Sequence, residues 1–351
     1  MKEREFQSGR QNEEHLPMVT VVVPMRDEEN FIGECLDSLI QQDYPLDRME
    51  VLVVDGMSED NSRSIVLEKS RQHDFIRLLD NPKRIAPAAL NVGLRNAAGD
   101  IIIRLDAHHY TASDFISKNV THLSKTGVDC VGGPICTVSR SFVGKTISMA
   151  MSCPFGVGNS HFRYSQKEQF VDTVTNPAYH REVFERVGYF NEALVRNQDI
   201  DFNYRLRQSG GKILLTPEVR SYYYPRSSLK GLWMQNFANG FWNVKTLRHS
   251  PGSLSARHFV PLVFVIALGS SILLSPFFTL ARLLLLLILS LYFALALGYS
   301  VVLGWRGGFY AALLPLIFPT LHVSYGFGTF WGLIQWVRNF FDSANNTAER
   351  T

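Results

Sequence analysis

Three acids in the 351-residue sequence stand where a ligand-binding carboxylate would. VVDGMSEDNS places Asp55 at the end of an apolar run, with Gly56 directly after it. A carboxylate there can accept from the N–H groups of a base or from a ribose hydroxyl. It can equally cap the following helix, as can Ser58 or Asp60. IIIRLDAHHY ends a second apolar run at Asp106, with His108 two residues on. Alternate side chains of a strand share a face, so Asp106 and His108 can converge on one ion. Mg2+ prefers oxygen ligands and binds through one or two carboxylates plus substrate phosphates, whereas Mn2+ tolerates imidazole better. A satisfied turn is the plainer alternative. VRNQDIDFNYRLRQSGGKI puts Asp199 and Asp201 at the opening of a predicted helix, where the helix dipole favours acids. In the sharper reading Asp199 is a general base that takes the proton of a bound hydroxyl. Arg205 and Arg207 can bind an anionic substrate or pair with the acids.

The elements that must position these residues are legible as short apolar runs: MVTVVVP (18–24), MEVLVVD (49–55), FIRLLD (75–80) and GDIIIRLD (99–106). Between them lie segments of helical period, such as NFIGECLDSLIQQ (30–42), with Phe31, Ile32, Cys35, Leu36 and Leu39 on one face. Continuous apolar strands alternating with helices predict an α/β domain whose mostly parallel sheet is buried on both sides. Ligands of such sheets bind at the carboxyl ends of the strands, which is where Asp55 and Asp106 stand. Two phosphate-binding fingerprints are excluded. No GxGxxG follows a strand, and Gly144-Lys145-Thr146 lacks the upstream P-loop glycine, where Ser139 stands instead.

Composition divides the chain sharply. Apolar residues make up 46% and charged residues 19%, and the net charge of +3 gives no nucleic-acid footprint. From Phe259 to Val337 only Arg282, Arg306 and His322 can carry charge. The uncharged runs Phe259 to Ala281 and Leu283 to Trp305 each reach roughly 35 Å, enough for a bilayer core. The run from Gly307 to Val337 contains Pro315, Pro319 and His322, and is expected to be a kinked or tilted span or a re-entrant piece. Before the spans, Leu229, Leu232, Trp233, Phe237, Phe241 and Val244 recur at helical spacing, which predicts an interfacial helix. Lys230, Lys245, Arg248 and Arg257 precede the first span and place the preceding domain on the cytoplasmic side. The four cysteines show no CxxC spacing and read as reduced thiols. The polar start of the chain contains no secretory signal, in keeping with a cytoplasmic domain. The expected organisation is a polar tail (1–17), a catalytic domain (18–227), an amphipathic interfacial region (228–257), a transmembrane region of about three spans (258–338) and a polar tail (339–351).

Four motifs in order now carry a resemblance: VTVVVPMRDEENFIGECLDSLIQQ, VLVVDGMSEDNS, ALNVGLRNAAGDIIIRLDAH and GYFNEALVRNQDIDFNYRLRQSG. The chain resembles the inverting family 2 glycosyltransferases, whose GT-A fold is a Rossmann-like nucleotide-diphospho-sugar transferase fold. Within them it is most similar to the membrane-associated glucosyltransferases of succinoglycan and other exopolysaccharide assembly, through YYYPRSSLKGLW and QNFANGFW. The resemblance covers about Met18 to Arg248.

The resemblance implies that Asp55 contacts the base of a sugar nucleotide, with Pro24, Arg26 and Glu28 lining the same donor pocket. Asp106 matches the first acid of the family's Asp-x-Asp metal motif, and His108 replaces the second. Asp199 matches the catalytic base, although Gln198 stands where many members have glutamate. Arg205 matches a basic position that follows the base, and Arg84, Arg196 and Arg226 are candidate diphosphate or acceptor contacts. Gln235 begins QNFANGFW, which lacks the arginine of the QxxRW motif of processive synthases, so single-sugar transfer is expected. The implied reaction moves a hexose from a UDP-sugar, with UDP-glucose first, to a lipid-linked saccharide at a bacterial inner membrane, aided by Mg2+ or Mn2+. Two alternatives stay open: a polyprenyl phosphate as acceptor, and a non-catalytic scaffold that binds nucleotide sugars.

Overall fold

The computed structural model describes residues 16–139, 141–225 and 227–348, so Arg226 and nearly all of the 1–17 tail lie outside the described residues. The four apolar runs form β1 (Val19–Met25), β2 (Met49–Asp55), β3 (Ile76–Asp80) and β4 (Ile101–Arg104). All pair in parallel, in the order β3-β2-β1-β4. Helices α1 (Ile32–Ile40), α2 (Ser62–Gln72) and α3 (Ala86–Asn96) make the crossovers. Every residue of β2 is buried, as a strand covered on both faces requires. Helix α1 buries Ile32, Cys35, Leu36 and Leu39, the apolar face predicted for it.

The chain continues through β5 (His109–Thr111), α4 (Phe115–Thr126), β6 (Cys130–Gly133) and β7 (Ile135–Thr137). It leaves for α5 (Phe142–Met151) and α6 (Pro154–Val157), then returns as β8 (Gln169–Phe170) and β9 (Thr175–His180). Next come α7 (Glu182–Val187), α8 (Gln198–Gln208), β10 (Ile213–Leu215) and β11 (Ser221–Tyr223). The main sheet has eight strands in the order β3-β2-β1-β4-β9-β6-β10-β8, with β9 antiparallel to both neighbours. Its core is parallel, as predicted, and β5, β11 and β7 form a separate small sheet. Cys35, Cys130, Cys136 and Cys153 are all free thiols, and burial pushes each of them up from the ordinary thiol range.

Contacts divide the chain into two compact units. The first holds Met1–Cys136, Ser165–Val195 and Phe202–Tyr223; the second holds Thr137–Tyr164, Arg196–Asp201 and Tyr224–Thr351. Two pieces of the expected catalytic domain, residues 137–164 and 196–201, thus group with the C-terminal helices. For residues 137–164 the cause is apolar packing. Ile147, Ala150 and Met151 of α5 share a buried cluster with Leu314, Ile317 and Phe318.

The second unit contains α9 (Leu229–His249), α10 (Val260–Leu274), α11 (Thr279–Gly307) and α12 (Leu314–Ala348). Among the described residues, three stretches, Ala256–Leu274, Thr279–Trp305 and Gly308–Phe340, are long and apolar enough to cross a membrane. Pro319 lies inside α12, which runs on as one helix beyond residue 338. Helix α9 packs along α12 at close backbone range. A Cβ at Gly240 would lie 2.0 Å from the Tyr325 carbonyl oxygen, and one at Gly328 would lie 2.0 Å from that of Phe237. The buried line of α9 is therefore Leu232, Gly240, Asn243, Val244 and Thr246, while Leu229 and Trp233 stay exposed. Gly328→Val should lower stability by about 2–3 kcal/mol through overpacking, read as a lower unfolding midpoint in detergent. Gly298→Ala, at a position with open space around it, should leave that midpoint unchanged or slightly raised.

Candidate active site

A cleft of about 210 Å³ opens in the first unit. It lies at the carboxyl ends of β1 to β4, where an α/β sheet leaves room for a ligand. Pro24, Arg26 and Glu28 line it from the exit of β1, Gly56 from β2, Asn81 and Arg84 from β3, and Asp106 and His108 from β4. Glu28 is held by its neighbours. The Asp27 N–H donates to Ser58 Oγ (3.0 Å), the Glu28 N–H to Ser62 Oγ (2.7 Å) and the Glu29 N–H to Asp60 Oδ2 (3.1 Å). Arg84 sits in the left-handed region at φ 58°. Its carbonyl accepts from Arg26 Nη1 (3.4 Å), and strain of this kind gathers at ligand clamps.

Asp55 is fully buried and does not line the cleft. Its Oδ1 accepts from the Ser58 N–H (3.0 Å) and Ser58 hydroxyl (2.6 Å), and its Oδ2 from Arg63 Nη1 (3.0 Å). Both oxygens thus hold the loop after β2 and the start of α2.

Asp106, His108 and His109 offer one ligand atom each within 4.8 Å of one another. The backbone explains the third member. Alternation along a strand brings 106 and 108 together and turns 109 away, yet the segment is a turn closed by the His109 N–H donating to the Asp106 carbonyl (3.0 Å). The adjacent pair of histidines was the signal available in the sequence. Glu28 Oε1 lies 3.1 Å from His108 Nδ1, which orients that ring. The His109 ring packs 5.1 Å from His108 and 5.1 Å from Tyr223.

Electrostatics fit this donor set to a divalent cation. Both His109 ring nitrogens are buried with no hydrogen-bond partner among the described residues, a costly state for polar atoms that no ligand meets. Burial pushes the His109 imidazole down to about 3, so it stays in the neutral, metal-binding form. Burial raises the Asp106 carboxyl, but the Arg104 guanidinium and the two histidines outweigh it and hold Asp106 well below the usual carboxylate range. Arg104 Nη2 donates to both carboxylate oxygens, at 2.9 and 3.2 Å. The Asp106 N–H is fixed by Asn176 Oδ1 (3.4 Å), itself at φ 45° and anchored by donation to Ser221 Oγ (2.9 Å). Asn81, Arg104, Asn176 and His109 were not singled out from the sequence: Asn81 and Asn176 come from loops distant in the chain, whereas Arg104 and His109 are neighbours of Asp106 whose partners only the folded turn shows.

Asp199 occupies the first turn of α8, and both Asp199 and Arg196 belong to the second unit. Arg196 Nη1 donates to Asn239 Oδ1 (3.0 Å). Arg205 belongs to the first unit, where its guanidinium donates to the carbonyls of Val187 (2.6 Å) and Tyr189 (2.8 Å). Arg226 lies outside the described residues.

A strand-end cleft with an acid and imidazole cluster on a mostly parallel sheet fits the GT-A fold that the sequence resemblance implied. Comparison with known proteins agrees. Residues 20–188 match the profile of Glycosyl transferase family 2. The chain is 29% identical, over 90% of its length and 97% of the relative's, to a dolichyl N-acetyl-α-D-glucosaminyl phosphate 3-β-D-2,3-diacetamido-2,3-dideoxy-β-D-glucuronosyltransferase of Methanococcus voltae. It is 29% identical, over 89% of its length and 93% of the other's, to the succinoglycan biosynthesis protein ExoA of Rhizobium meliloti. Among solved structures, the mannosyltransferase PcManGT of Pyrobaculum calidifontis shares the fold at TM-score 0.58 and 23% identity, covering 86% of this chain and 88% of that one. Residues 20–188 thus form a Glycosyl transferase family 2 domain.

Titration with Mn2+, followed by loss of the free-ion EPR signal, checks the cluster. Asp106→Asn and His109→Ala should each abolish measurable binding, and Glu28→Gln should weaken it about 10-fold or more by releasing His108.

Proposed function

We propose that the enzyme transfers a hexose from a UDP-sugar, with UDP-glucose first among donors, to a hydroxyl of a lipid-linked saccharide during cell-surface polysaccharide assembly. The observation that carries this reading is the presence in one chain of a strand-end cleft with the Asp106–His108–His109 cluster and three helices apolar enough to span a bilayer. A water-soluble donor and a membrane-held acceptor need that combination. Two relatives point the same way. One is named for adding a sugar to a dolichyl-linked sugar phosphate, the other for succinoglycan biosynthesis. The basic residues before the first span favour a cytoplasmic catalytic domain at a bacterial inner membrane.

In this reading Arg26 and Arg84 attract the donor's diphosphate to the cleft, and Asp106 with His108 and His109 would hold Mg2+ or Mn2+. The imidazole ligands favour Mn2+. When bound, the ion supplies positive charge that stabilises the departing nucleoside diphosphate. Asp199 accepts the proton of the acceptor hydroxyl as its oxygen attacks the anomeric carbon. The glycosidic bond forms as the bond to the diphosphate breaks, in one inverting displacement. Arg205, engaged with two backbone carbonyls, braces α8 against the end of α7 and the loop after it.

Nucleoside-diphosphate release by the full chain in lipid, with a sugar-nucleotide panel and a lipid-linked acceptor, tests the proposal. Asp199→Asn should lower kcat by about 10²–10⁴-fold while donor affinity is kept. Undiminished release by Asp199→Asn would point instead to a phosphate acceptor, already ionised and in no need of a base. Donor binding without release from any pair would favour a nucleotide-sugar-binding scaffold.

A further inference from the structure

The segment Arg196–Asp201, which carries Asp199, is tied within the second unit to a face of α9 made of polar side chains. Asn239, Asn243 and Thr246 stand at successive turns of that helix, at spacings of four and three, and so share one face. Asn239 Oδ1 accepts from Arg196 Nη1 (3.0 Å). Asn197 Nδ2 donates to Asn243 Oδ1 (3.2 Å) and to Thr246 Oγ1 (3.1 Å). Asn243 is 1% exposed, and its own amide donates to the Tyr325 hydroxyl of α12 (2.8 Å). Asn197 is held at φ 62°, and its carbonyl accepts from the Asp201 N–H (3.0 Å), so α8 starts from this residue.

This arrangement exceeds what helix packing needs. An apolar residue at 243 would pack against α12 equally well, whereas a buried amide is costly unless every polar atom is paired. Here its oxygen takes the residue two before Asp199 and its nitrogen takes the apolar helix. The left-handed backbone of Asn197 is a strained state that persists only where the surroundings over-determine it. We propose that Asn243 is a positioning residue that, together with Thr246, fixes the start of α8 to α12 and thereby sets the direction of the Asp199 carboxyl. The membrane helix bundle is then part of the positioning of the base. The inference rests on the reading of Asp199 as base.

The test compares steady-state kinetics of the full chain in lipid for Asn243→Leu, Tyr325→Phe, Asn197→Gly and Asn197→Ala, with Asp199→Asn alongside. A displacement of a reacting group by about 1 Å costs up to about 100-fold in rate, so Asn243→Leu should lose at least about 10-fold in kcat. Its donor KM should stay within about twofold, because the donor cleft is built from other residues. Tyr325→Phe, which removes one hydroxyl and keeps the volume, should lower kcat by about threefold with the same unchanged KM. Glycine accepts φ 62° freely and alanine does not, so Asn197→Gly should retain more kcat than Asn197→Ala. Wild-type kcat in folded Asn243→Leu and Tyr325→Phe, with Asp199→Asn inactive, would overturn this inference and leave the base in place. Equal losses of kcat and donor affinity in both variants would overturn it too, as the mark of a merely structural role. Full activity of Asp199→Asn would overturn the base reading and this inference with it.

Discussion

One backbone hydrogen bond, from the His109 N–H to the Asp106 carbonyl, decides what the carboxyl end of β4 can bind. It closes the turn that gathers a carboxylate and two imidazoles within 4.8 Å. Without that turn an extended chain would send His109 to the opposite face of the strand. The sheet makes the turn possible, because β4 ends beside β1 in a parallel pair and the chain must leave it toward the cleft. The rest of the site is arranged to hold this corner. Glu28 orients His108, Asn176 fixes the Asp106 amide, and Tyr223 packs on the His109 ring.

The electrostatics of the corner follow from its burial. A carboxylate partly removed from water is pushed toward its protonated form, but Arg104 lies at hydrogen-bond distance from both Asp106 oxygens and keeps it ionised. The same burial keeps His109 neutral and leaves its ring nitrogens unpaired among the described residues. An anionic acid beside the neutral His109 imidazole is a cation site rather than an anion site. Arg26 and Arg84 supply the opposite sign on other walls of the same cleft. A cleft with both signs suits a ligand whose diphosphate must be held and then released with extra charge.

The second unit solves a different problem. Its helices are held in register by close backbone packing and polar pairs. Gly240 and Gly328 let the backbones of α9 and α12 approach, and the Asn243–Tyr325 hydrogen bond fixes their register. The same α9 face receives Asn197, which places the residues around Asp199 in this unit.

Much of this molecule was legible in its residues. The apolar runs became β1 to β4, the face of α1 was the one its periodicity marked, and the charge-poor tail became three helices of membrane-spanning length. Such features depend on local pattern and on the partition of side chains between water and apolar surroundings, which a sequence states directly. The acids at strand ends and the order of the motifs likewise pointed to a family 2 glycosyltransferase. Three matters were settled by tertiary structure alone. Asp55 is occupied by Ser58 and Arg63, His109 joins Asp106 and His108, and residues 137–164 and 196–201 pack with the C-terminal helices. Each depends on which groups a fold brings within a few ångströms, through a turn closure, an ion pair or a buried amide. Residue type and spacing give each group's chemistry, but its partner is chosen by the packed chain.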